Sequence, residues 1–230
     1  FTMTMHTIIE KNNATVSLIR RRDFSSALES STSVMKLLQQ LEMTSNGAAS
    51  TASATDCLDQ CMLLSEVDAS SKDAANSNAI FVYEHGILLP PTAVDCPMVS
   101  AIVIFNSALA HQLYAQQQQQ RHQQKQQQQQ KQGKDISHYY LLKSRKLYEL
   151  AYGVDSGACH NVLFQFVVIN NMAVIDLQTG NAEQSTQYFN YLMTVQMLMV
   201  DQGCTSRLRH VCGFLRNLPS PVATAAAAAA

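Results

Sequence analysis

Residues 162–200, VLFQFVVINNMAVIDLQTGNAEQSTQYFNYLMTVQMLMV, constrain the fold more than any other stretch. Apolar side chains at Phe166, Ile169, Met172, Ala173 and Leu177 share one face at helical spacing. Thr179-Gly180-Asn181 then supplies helix-stop chemistry, because Gly180 tolerates a positive backbone angle. A second stripe follows at Phe189, Leu192, Val195 and Met199. The stretch therefore predicts two helices joined by a tight turn. Ala173 and Ser185, twelve residues apart, are small enough to let the two backbones approach closely, and Phe189 fills the space beyond them.

The same grammar recurs upstream, where internal repeats are sought first. Asn171-Met172-Ala173 has counterparts in Asn106-Ser107-Ala108 and Asn13-Ala14-Thr15. Thr15 is followed twelve residues later by Ala27, within Asp23-Phe24-Ser25-Ser26-Ala27. In the middle copy the partner of Ala108 is Ser144, followed by Tyr148 and Ala151. That spacing is 24 residues longer, so the middle turn carries an insertion, and the insertion holds the glutamine tract.

These residues resemble the tetratricopeptide (TPR) family, whose repeats of about 34 residues pair two helices through small residues. Asn171, Ala173, Gly180, Asn181, Ser185, Phe189 and Leu192 fit its pattern. Asn106, Ala108, Ser144, Tyr148 and Ala151 fit once the insertion is removed. Asn13, Thr15, Asp23, Phe24, Ala27 and Val34 fit in part. The family's Trp is replaced by Lys11, Ile104 and Ile169, its closing Pro is missing, and Ser31 stands for the aromatic in the first copy. The resemblance covers about half the chain and implies an all-α fold. The competing reading is a plain helical bundle, since small residues and aromatics at helical spacing occur in any bundle.

In chain order, residues 1–43 read as the first hairpin, with Asp23 as the N-cap of its second helix. Arg20-Arg21-Arg22 at a helix C-terminus reads as a solvated complement to the helix dipole. Residues 44–77 are Ser/Thr/Ala-rich and expected to be a flexible linker. Residues 78–91, NAIFVYEHGILLPP, hold the one β-prone run, near 79–90. A lone strand cannot complete a sheet, so an extended segment packed across the helices is expected, occupying part of a concave groove. The second hairpin spans 97–152, interrupted by a Gln-rich insertion at 116–134. Thirteen of residues 116–132 are Gln, a good helix former with no apolar face to bury. It reads as a tolerated surface insertion and as a route to self-association. Gly153–Gly157 reads as a linker, 159–202 as the third hairpin, 204–218 as a capping helix and 219–230 as an Ala-rich tail.

Composition narrows the function classes. Charged residues make up only 14% of the chain and the formal net charge is −1, so no nucleic-acid or membrane-surface partner is expected. The six cysteines form no C-x-x-C pair, and reduced thiols in an intracellular protein, cytoplasmic or nuclear, are expected. Cys57 and Cys61 lie on one helical face but lack further ligands. No secretory pattern opens the sequence, and its longest apolar run is too short to span a bilayer. Cys159-His160 carries no hydrolase signature, the histidines show no metal spacing, and no phosphate-binding glycine loop or nucleophile elbow is present. No catalytic residue, cofactor or metal site is assigned.

The resemblance implies a binding groove lined by the first helix of each hairpin. The strongest candidates are Ile102, Phe105, Leu109 and Gln112, with Val167, Asn170, Val174, Leu177 and Gln178. Ile9, Asn12, Val16, Ile19, Arg20 and Leu113 complete the surface. Such a lining suits a protein or peptide partner, as an amphipathic helix or an extended apolar chain. The family's basic clamp for chaperone carboxylates is missing at Asn12, Val16, Val167 and Asn171, although Asn106 matches its middle Asn. The expectation is a non-catalytic interaction scaffold. An RNA-binding helical repeat is the alternative, disfavoured by the low positive charge; an enzyme without recognisable motif ranks below it.

Overall fold

A computed structural model of the chain describes residues 2–44, 82–93, 98–125, 133–158 and 162–201. Among these residues it is all-helical, with no strand. The helices are α1 (Thr2–Arg20), α2 (Phe24–Thr44), α3 (Val99–Lys125), α4 (Gly133–Ala158), α5 (Val162–Gln178) and α6 (Ala182–Asp201). Residues 82–90, between α2 and α3, carry no regular secondary structure. No helix among the described residues is long and apolar enough to cross a membrane. The capping helix expected at 204–218, the tail, the linker from residue 45 onward and all six cysteines lie outside the described residues.

The chain falls into two compact units. One contains α1, α2, residues 84–93, α3, α4 and α5 as far as Val168. The other contains residues 82–83, α5 from Ile169, and α6.

In the first unit α1 packs on α2, both pack on α3, and α3 packs on α4. The centre is α3, whose residues 101–113 are buried on every side. A helix apolar all round belongs in a core, and AIVIFNSALA is such a run apart from Asn106 and Ser107. Ser144 Oγ of α4 donates to the Ala108 carbonyl at 2.7 Å. One turn on, Tyr148 Oη donates to Gln112 Oε1 at 2.9 Å. Both contacts span 36 residues, the spacing read for the interrupted hairpin. Phe105 lies between Tyr148 and Phe164, with ring centroids at 5.5 and 5.7 Å. The α3 helix runs on into the glutamines as far as Lys125.

Gly153–Gly157, expected as a linker, forms the last turns of α4 instead. Its Gly-rich composition costs about 1 kcal/mol per glycine in a helix. Ala151 and Asp155 are buried at that same end, and Gln165 Nε2 donates to Asp155 Oδ2 at 2.9 Å.

Two turns share one construction. At the end of α1, Arg22 N donates to Ile19 O (2.9 Å) and Asp23 N to Leu18 O (3.0 Å). At the end of α5, Gly180 N donates to Leu177 O (3.3 Å) and Asn181 N to Asp176 O (2.7 Å). Each pair is a Schellman motif, which needs a left-handed residue at its penultimate position. Gly180 supplies it at φ 89° without strain, whereas Arg22 adopts φ 60° as a side-chain-bearing residue. Asp23 Oδ1 then caps α2 by accepting from Ser26 N at 3.2 Å.

In the second unit Ile169, Met172, Ala173, Val174 and Ile175 of α5 are buried, as are Ser185, Phe189 and Leu192 of α6. Tyr191, Met193 and Met197 of α6 are exposed.

Candidate functional site

A segment without a strand partner must still satisfy its backbone groups wherever it is buried. Residues 82–90 face this problem, because Tyr83, Ile87, Leu89 and Pro90 are all buried. The helices solve it with asparagine side chains. A primary amide carries an acceptor and a donor side by side, which matches the N–H and C=O that one extended residue presents on one edge.

In the first unit α3 places Asn106 beside Ile87. Ile87 N donates to Asn106 Oδ1 at 2.8 Å, and Asn106 Nδ2 donates to Ile87 O at 2.8 Å. The second Nδ2 hydrogen goes to Asn12 Oδ1 at 2.8 Å, and Asn12 Nδ2 reaches Ile87 O at 3.2 Å. Two residues further along, α1 places Asn13 on Leu89. Leu89 N donates to Asn13 Oδ1 at 2.9 Å, and Asn13 Nδ2 donates to Leu89 O at 2.7 Å. Ile87 and Leu89 can be held alike because residues two apart in an extended chain share an orientation.

The second unit repeats the device. Tyr83 N donates to Asn171 Oδ1 at 2.9 Å, and Asn171 Nδ2 donates to Tyr83 O at 3.0 Å. The preceding asparagine braces the clamp: Asn170 Nδ2 donates to Asn171 Oδ1 at 3.2 Å. Asn12 Nδ2 does the same for Asn13 Oδ1 at 3.3 Å. Asn13, Asn106 and Asn171 are the three positions aligned by the repeat grammar. Each binds both polar groups of a single extended residue.

Gly86 packs closely on α1. A Cβ built there would lie 2.9 Å from Val16 Cγ2, closer than real Cβ contacts come, and 3.1 Å from Cγ1. Glu84 is exposed. His85 is partly buried, and burial together with the charge of Arg20 lowers its pKa. Elsewhere in the first unit, burial lowers the His111 pKa to about 4, with Lys143 adding to the shift and the 2.7 Å contact to Ser107 O opposing it. No group of three or more His, Cys, Asp or Glu among the described residues could hold a metal ion.

Of the candidates drawn from the sequence, Ile102, Phe105, Leu109, Gln112, Val167, Asn170 and Val174 are all buried. Leu177 and Gln178 are exposed. Gln112 is committed to Tyr148 and Asn170 to Asn171. Val16, named as a lesser lining residue, meets Gly86, and Asn12 bonds Ile87. The groove assignment omitted Asn13, Asn106 and Asn171, the residues that make the bidentate contacts. Their signal was present in the sequence, as an asparagine two positions before the small residue of each copy.

No protein-family model, no curated protein and no solved structure matches this chain.

Proposed function

We propose that this chain is a non-catalytic, TPR-like interaction scaffold that binds extended polypeptide through asparagine clamps, and that these clamps are occupied in cis, by residues 84–90 in the first unit and by Tyr83 in the second. The carrying observation is the repeated bidentate bond: Asn106 on Ile87, Asn13 on Leu89 and, in the other unit, Asn171 on Tyr83. A hydrogen-bonding unit that reappears at each repeat-equivalent position, always on main chain, is a way to hold peptide backbone. The partner class is accordingly a protein or peptide in extended conformation.

The test is selection from a displayed random-peptide library on the intact chain carrying Ile87→Asp and Leu89→Asp, which weaken the hold of the internal segment. Circular dichroism establishes that the variant is folded. The reading expects enriched peptides that lose binding when Asn106→Ala is added. No enrichment over a blank surface, from a folded variant, overturns it.

A further inference from the structure

The clamps read main chain, so they say little about which peptide is accepted. The selectivity must come from side-chain fit, and one contact in the first unit is exacting. Gly86 precedes the residue held by Asn106, and a Cβ at its position would penetrate the Val16 side chain. Val16 is fully buried and sits within the α1 helix, where a β-branched side chain has little rotameric freedom. It cannot swing aside as a long flexible side chain would.

We propose that the scaffold selects partner peptides by a glycine, and that Val16 enforces the choice. This rests on the clamp reading above. The partner is a segment of another polypeptide whose chemistry copies residues 86–90: glycine, an aliphatic residue on Asn106, any residue, an aliphatic residue on Asn13, then proline. The internal segment is the template for this pattern. Ile87, Leu89 and Pro90 are buried, while Leu88 between them is only half-buried, so the intervening position is permissive. Residues 86–90 then act as a competing ligand tethered to their own site, which raises the affinity a partner needs.

The experiment uses the full chain carrying Gly86→Val, which drives the internal segment off Val16. A fluorescein-labelled peptide of residues 80–92 is titrated by anisotropy, beside the same peptide with glycine replaced by alanine. The glycine peptide should bind, and the alanine peptide should bind about tenfold or more weakly. On the receiving chain that also carries Val16→Ala, the alanine peptide should bind within about threefold of the glycine peptide, a ratio that any return of the internal segment leaves unchanged. Equal affinity of the two peptides, or no rescue by Val16→Ala, overturns the proposal while leaving the clamp reading intact. Absence of binding by either peptide, together with a failed library selection, removes the clamp reading itself. If the Gly86→Val chain instead captures a second, unmodified copy as tightly as it does the peptide, the occupant is another copy and the partner assignment falls.

Should Gly86→Val fail to fold, the filter is read from stability. Gly86→Ala and Val16→Ala are compared singly and together. The double variant should be more stable than the sum of the single losses requires; strict additivity overturns the filter.

Discussion

Truncating Asn106 to alanine tests a clamp whose amide is almost fully buried. The side chain makes three hydrogen bonds at 2.8 Å, two to Ile87 and one to Asn12, and Asn106 is 1% exposed. After Asn106→Ala the Ile87 carbonyl retains Asn12 Nδ2 at 3.2 Å. The Ile87 N–H and Asn12 Oδ1 each lose the partner Asn106 supplied. Stranding a buried polar group costs about 1–3 kcal/mol, so two give roughly 2–6 kcal/mol. One water entering the vacated polar space would lower this toward about 2 kcal/mol. Asn13 makes a similar bidentate bond but is only half-buried, so solvent can replace it, and Asn13→Ala should cost about 1 kcal/mol. Urea denaturation followed by circular dichroism gives both values from the midpoint shift at unchanged slope. A loss below about 0.5 kcal/mol for Asn106→Ala, or an inverted order of the two variants, would refute the claim that these amides carry the segment.

The two matching turns predict opposite signs. Arg22→Gly relieves a left-handed residue at φ 60° and should stabilise by about 0.5–1 kcal/mol, whereas Gly180→Ala at φ 89° should destabilise by about 1 kcal/mol; thermal melts of the two variants decide. His111 titrates near 6.5 when unfolded and at about 4 when folded, so the unfolded chain binds the extra proton between those values. Stability should be full above pH 6.5 and fall by up to about 3 kcal/mol as pH drops toward 4, and His111→Gln should flatten that limb of the urea-midpoint profile. Ala173 is completely buried, so Ala173→Phe should overpack α5 and cost about 3 kcal/mol; an unchanged melting curve would contradict close packing at that position.

The helices were legible because apolar residues recur at helical spacing in Phe166–Leu177 and Phe189–Met199, and because Asp23 and Gly180 mark ends by their own chemistry. The left-handed turn at Arg22 was not, since arginine carries no mark of positive φ. Its hydrogen bonds become visible only beside those of Gly180. The α4 extension through Gly153–Gly157 was hidden for a related reason: local composition argued for a linker, and the bond from Gln165 to the buried Asp155 is a tertiary contact that local sequence does not reveal. The site was half legible. Asparagine recurred at the right places, but an asparagine inside a helix reads as a weak helix former, and nothing local says that its amide serves a chain dozens of residues away. The expected lining followed the apolar neighbours instead, and most of these are core.

An amide clamp raises a problem of register that the same segment resolves. Ile87 and Leu89 are held alike because even spacing returns the same edge of an extended chain to the helices. Main-chain bonds alone would tolerate a slip of two residues, since any non-proline residue offers the same N–H and C=O. Gly86 removes that freedom. Slipping two residues either way would put Glu84 or Leu88 against Val16, and slipping one would put His85 or Ile87 there. Each carries a Cβ into a space already closed at 2.9 Å. Pro90, lacking an N–H, cannot replace Leu89 on Asn13 without losing the bond to Oδ1. On the proposed reading, then, recognition of the backbone and selection of the sequence are separate tasks, the first falling to the asparagines and the second to Val16.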